Sequence, residues 1–140
     1  MTTDEHTIVH LGIKARRCIS EDRVAEYLVN EGLSIIPHPK IFYEKSQIVP
    51  DLLVGKNLYF IEVENARSLG YRRLRVTLRQ RIAYISAKAA VIKQVLPTAQ
   101  VGVHVISPKS CEIDDWVMSH IDLITFELDA LRDKVRGMLY

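Results

Sequence analysis

Two acidic residues two apart in one strand, and a third facing them across a turn, are the part of this sequence able to do chemistry. Leu58-Tyr59-Phe60-Ile61-Glu62-Val63-Glu64 reads as a β-strand, and strand alternation sends Tyr59, Ile61 and Val63 to one face and Phe60, Glu62 and Glu64 to the other. Ile48–Val54 reads as the strand before it, with Gly55-Lys56-Asn57 as turn chemistry between them, so the two form a hairpin. With a two-residue turn on Lys56-Asn57, Asp51 opposes Glu62 with their Cβ atoms about 5 Å apart. A three-residue turn puts Asp51 on the other face unless a bulge restores it. Carboxylates this close repel, so one takes a proton or a cation sits between them. Asp51, Glu62 and Glu64 form a hard oxygen set, which suits Mg²⁺ or Mn²⁺ better than Zn²⁺. The alternative is a solvated strand face with scattered acids. Against it stands Asp51, directly after Pro50 in an otherwise apolar strand, where an acid without a partner is costly.

The elements that must hold these residues can be read from periodicity. Ser20-Glu21-Asp22 has the character of a helix start, with Ser20 as N-cap and acids in the first turn, and Gly32 is a stop; the first helix covers about 20–31, or begins as early as Leu11. Leu33–Tyr43 is apolar but interrupted by Pro37 and Pro39, the pattern of an edge or bulged strand. From Tyr71 to Leu96, Leu74, Leu78, Ile82, Ile85, Ala89, Ile92 and Leu96 make one helical stripe, closed by Pro97. Val101–Ile106 is a strand for the sheet interior, paired in parallel with 58–64 through a crossover. A short helix near 113–120, a strand at 123–127 and a terminal helix on Leu128, Leu131, Val135 and Met138 complete an α/β domain with a mixed sheet flanked by helices. It is read as one domain over 1–140, with a core at about 20–107 and an α/β extension at about 108–140.

Pro50-Asp51, ten residues, then Glu62-Val63-Glu64 resembles the PD-(D/E)xK nuclease superfamily, with Glu64 where that pattern has lysine. The αβββαβ element order is that of the restriction-endonuclease-like core. Gln80-Arg81-Ile82-Ala83-Tyr84 resembles the QxxxY motif of the RecB-type branch, and Glu21 resembles the first-helix glutamate of archaeal Holliday junction resolvases. The resemblance covers about residues 20–107. It implies a Mg²⁺- or Mn²⁺-dependent DNA nuclease in which Asp51, Glu62 and Glu64 hold metal, Glu21 assists, and Gln80 and Tyr84 contact the scissile region. The lysine of the pattern positions or activates water; Lys88, one turn beyond Tyr84, or Lys45 could replace it, and some type II restriction endonucleases with Glu at this position are active. The alternative implied by the missing lysine is a nuclease-fold protein that binds nucleic acid without cutting it.

The formal charge of +2 conceals segregated blocks. Residues 67–81 contain six Arg (67, 72, 73, 75, 79 and 81) and no acid, whereas 112–133 contain seven acids and only Arg132. Arg67, Arg72, Arg73, Arg75 and Arg79, with Gln80, are the expected nucleic-acid contacts, recognising backbone or shape rather than a long sequence. The alternative is that this block pairs with the acidic C-terminal segment. The apolar fraction of 48% and charged fraction of 26% are globular, and no run reaches the ~20 apolar residues of a membrane span. The polar, acidic start is unlike a secretion signal, and Cys18 and Cys111 lack metal or disulfide spacing, so a cytoplasmic setting is expected. A homodimer is expected from the small size and the need to cut two strands. His104 is expected as a core residue and Trp116 as a packing anchor.

Overall fold

The computed structural model describes residues 8–10, 19–54, 58–67, 69–107 and 110–138. In chain order the elements are β1 (Ile8–His10), α1 (Ile19–Asn30), β2 (Ile35–Pro37), β3 (Pro39–Tyr43), β4 (Ser46–Ile48), β5 (Leu52–Val54), β6 (Tyr59–Asn65), α2 (Tyr71–Val95), β7 (Gln100–Ile106), β8 (Leu123–Thr125) and α3 (Leu128–Met138), with a 3₁₀ turn at Asp115–Met118. The main sheet runs β2-β5-β6-β7-β8, antiparallel from β2 to β6 and parallel from β6 to β8. A second, antiparallel sheet runs β1-β3-β4. The architecture is α/β, a mixed five-stranded sheet flanked by three helices, and its element order is compatible with an αβββαβ core.

The helices cover the sheet from both sides because each strand carries apolar residues on both faces. On one side, the α2 stripe of Leu74, Leu78, Ile82, Ile85, Ala89 and Ile92 is buried in one core with Leu53, Phe60, Val101, Val103 and Val105. On the other, Val24 and Leu28 of α1 and Leu131 and Val135 of α3 share a core with Leu52, Val54, Tyr59 and Ile61. Glu62 and Glu64 therefore belong to the α2 side, in register with Phe60. No helix among the described residues is long and apolar enough to cross a membrane.

Two expected strands are each broken in two. The chain leaves the main sheet after β2 and enters the small sheet at β3, with the break at His38, whose φ of 48° is left-handed. The flanking Pro37 and Pro39 have no N–H to continue a ladder, so the interruption becomes a change of sheet rather than a bulge. Likewise 48–54 splits into β4 and β5 around Val49-Pro50-Asp51. Tyr43 pairs with Ser46 across a tight turn on Glu44-Lys45, which leaves Lys45 exposed in a hairpin that periodicity did not suggest. Ser20 lies within α1 and does not cap it, and an earlier helix start at Leu11 falls outside the described residues, as does the 55–57 turn. Trp116 is 70% exposed, so it does not anchor packing.

The Tyr59 hydroxyl is buried and has no hydrogen-bond partner among the described residues. It lies where a Cβ on Gly102 of the neighbouring β7 would overlap it, so only glycine fits there. A buried hydroxyl without a partner costs on the order of 1–3 kcal/mol. Tyr59→Phe is thus expected to raise the unfolding free energy by about 1 kcal/mol, whereas Gly102→Ala should lower it by about 1–3 kcal/mol through overpacking. Urea midpoints of the two variants, at unchanged slope, check the opposite signs.

Candidate metal and catalytic site

The register places the first two carboxylates. Leu52 pairs with Ile61, so Asp51, one residue earlier, stands opposite Glu62 as a two-residue turn requires. The β5–β6 ladder ends there, which leaves the next β6 amide without a strand partner. Asp51 supplies one: its Oδ2 accepts the Val63 N–H at 2.7 Å. This bond fixes the Asp51 carboxylate at the strand end, where the chain has just returned from the small sheet.

Glu62 is 7% exposed. Its Oε1 accepts a hydrogen bond from Lys88 Nζ of α2 at 2.7 Å, and the same ammonium reaches the Val49 carbonyl at 3.4 Å. Burial, and then the negative charge of Asp51, push the Glu62 carboxyl up to about 8, with Lys88 working in the opposite direction.

Glu21, in the first turn of α1, joins from the third side. Asn65 at the end of β6 donates through Nδ2 to Ser20 Oγ at 2.9 Å, which ties the start of α1 to the strand that carries Glu62. Glu21 Oε2 lies 2.8 Å from His38 Nε2. Its carboxyl is raised to about 7, first by burial and then by the charge and hydrogen bonding of Asp51, while His38 opposes the rise. Ligand atoms of Glu21, His38 and Asp51 all lie within 4.8 Å of one another. Donor atoms that share one divalent ion are spaced this way, and two carboxylates with one imidazole form an O₂N set. For His38 to ligate through Nε2, its ring proton must sit on Nδ1.

The sequence-derived set is thus partly assembled and partly redistributed. Asp51, Glu62 and Glu21 converge. Glu64 shares the Glu62 face but does not join them: its Oε2 takes a hydrogen bond from Arg81 Nη1 at 2.8 Å, so it is an ion-paired rim residue and not part of the Glu21-His38-Asp51 group. Gln80 and Tyr84 are exposed, Tyr84 by 72%. Tyr84 stands three residues after Arg81 and four before Lys88, on the helix face that carries the cations bound to Glu64 and Glu62. His38 gave no ligand spacing in the sequence; its only trace was the Pro37-His38-Pro39 interruption.

Among the arginines, Arg79 binds Asp114 at 2.8 Å and Arg75 reaches it at 3.9 Å, so two of the expected nucleic-acid contacts share one carboxylate of the acidic segment. That was the alternative for this block. Arg67 and Arg73 are exposed, and the Arg72 side chain lies outside the described residues. His104 is buried as expected: its Nδ1 is 2.8 Å from Thr125 Oγ1, and burial holds the imidazole down at about 4.

Compared with protein-family models and with curated proteins, the sequence matches none.

Proposed function

We propose that this chain is a divalent-metal-dependent deoxyribonuclease of the PD-(D/E)xK kind. The observation that carries the proposal is Lys88 Nζ at 2.7 Å from Glu62, opposite Asp51. The lysine missing from the strand is supplied to the same carboxylates by the next helix. An ammonium beside paired acids on a strand end suits the hydrolysis of a phosphodiester, whose transition state gathers negative charge.

Glu21, His38 and Asp51 would hold the ion, with Glu62 beside them. A divalent ion held there supplies neutralisation of the phosphoryl group and a more acidic water. Lys88 orients the attacking water and faces the developing charge, and Glu62 holds that ammonium in place. Arg81 keeps Glu64 from repelling the substrate backbone at the rim, and Tyr84 offers an exposed ring on which a base can stack. The enzyme acts on DNA in the cytoplasm, through backbone contacts rather than a long recognition sequence.

Purified protein incubated with plasmid, single-stranded and branched DNA, with Mg²⁺, Mn²⁺ or EDTA, tests this. Cleavage is expected with either metal and not with EDTA. The imidazole in the ligand set favours Mn²⁺, and His38→Ala should reduce Mn²⁺ affinity by about 10–100-fold. Asp51→Ala and Glu62→Ala should each abolish cutting. Tight binding without cleavage by the unaltered protein instead identifies a nuclease-fold binding protein, and neither activity overturns both readings.

A further inference from the structure

A second cavity lies across α1 from the acidic cluster. Its volume is about 400 Å³, and its walls include Arg23 and Tyr27 of α1, Arg67 just beyond β6, His104 of β7, and Phe126 and Glu127 before α3. Arg23 is two residues from Glu21, about 200° further round the helix, so one turn of α1 serves the carboxylates on one side and the cavity on the other.

The charge pattern singles this cavity out. Arg75, Arg79, Arg81, Arg132 and Arg136 are all paired with carboxylates. Arg23 and Arg67 are exposed, and neither guanidinium has an ion pair or hydrogen bond among the described residues. Both line the same cavity. Both acids of the lining, Glu127 and Asp129, are exposed, and Asp129 is already engaged by the Tyr27 hydroxyl and by Arg132. The N-terminal turn of α3 borders it as well, through Leu128 and Asp129, and the open amides of a helix start favour an anion. Two unpaired guanidiniums on one cavity are suited to a phosphate, and the Phe126 ring offers a flat apolar wall to a base.

We propose that this cavity binds a phosphorylated nucleotide, its phosphate on Arg23 and Arg67 and its base against Phe126. Resting on the nuclease reading, it further assigns the ligand as the phosphorylated terminal nucleotide of the DNA strand whose neighbouring phosphodiester lies at Glu21, Asp51 and Glu62. The enzyme would then choose phosphorylated ends over hydroxyl ends.

Binding is measured on the full chain in EDTA, which separates this site from the metal cluster. Deoxyadenosine 5′-monophosphate, deoxyadenosine 3′-monophosphate and deoxyadenosine are titrated by NMR, followed by oligonucleotides with 5′-phosphate, 3′-phosphate or hydroxyl ends. A phosphorylated nucleotide should bind at least tenfold tighter than the nucleoside, as should one phosphorylated end over the hydroxyl end. Arg23→Ala with Arg67→Ala should lose that discrimination, and Phe126→Ala should weaken nucleotide and nucleoside alike. Equal binding of nucleotide and nucleoside, or discrimination that survives loss of both arginines, overturns the site. Discrimination by free nucleotides but not by oligonucleotide ends keeps the site and overturns its assignment to a DNA terminus. Arginine-dependent discrimination in a protein that never cuts DNA leaves the cavity standing and removes the nuclease reading instead.

Discussion

Lys88→Met is expected to reduce DNA cleavage by about 10²–10³-fold, the scale of losing a preorganised donor at a developing oxyanion. The fold should survive, because Glu62 already has a raised affinity for a proton and takes one when its ammonium partner is removed. Metal titration followed by intrinsic fluorescence should show Mn²⁺ affinity close to that of the unaltered protein, since Lys88 lies outside the Glu21-His38-Asp51 group. Glu64→Gln, by contrast, should change the rate only a few-fold, because Arg81 holds that carboxylate at the rim. A Lys88→Met enzyme with near-normal turnover, or a Glu64→Gln enzyme without any, would place the missing lysine's role elsewhere.

The second large effect is on stability as a function of pH. With metal chelated, the melting temperature should fall by on the order of 10 °C between pH 5 and pH 8. Glu21 and Glu62 are raised from an ordinary 4.5 to about 7 and about 8, so the folded chain keeps protons that the unfolded chain has released. That stabilisation is complete below about pH 4.5 and is lost as the pH rises through 7 and 8. His104 works in the opposite sense: held down from 6.5 to about 4, it favours the fold more as the pH climbs to 6.5 and contributes no slope above that. The fall is therefore steepest just above pH 6.5, where the offset ends. Glu62→Gln should flatten the profile by roughly one proton, and Mn²⁺ at pH 8 should recover most of the lost temperature by standing in for the protons. Thermal melts in EDTA that are level or rising from pH 5 to pH 8 would contradict the crowding of Glu21, Asp51 and Glu62.

The parts of this arrangement that could be read from sequence are those governed by short periods. The two-residue period of β6 separated Glu62 from Val63, and counting back across the turn put Asp51 opposite Glu62. The stripe from Leu74 to Ile92 announced α2, and with it the placement of Lys88, although a single lysine on a polar face carries no mark of its task. Two things were not legible. Alternation says which face a side chain takes but not where a chain changes sheets, so the switch at His38 could not be foreseen, nor could the ligand it delivers. Ion-pair choice was equally hidden: Arg81 could have faced solvent or DNA, and only packing of α2 on β6 brings it to Glu64. For Arg75 and Arg79, pairing with the acidic C-terminal segment was legible as an alternative, but the choice of Asp114 depends on how the segment before the 3₁₀ turn lies along the helix.

The main-chain N–H of His38 donates to the Asp51 carbonyl at 2.9 Å. Residues 39–50 leave and return through that one clasp, so the β3–β4 arm is tied off at its root. The arm is also packed onto the rest of the molecule: Ile41 is fully buried in the α2-side core, and the Val49 carbonyl accepts from Lys88. Only the exposed Glu44-Lys45 turn at the tip is free of that packing, so it is there that the chain can be lengthened at little entropic cost.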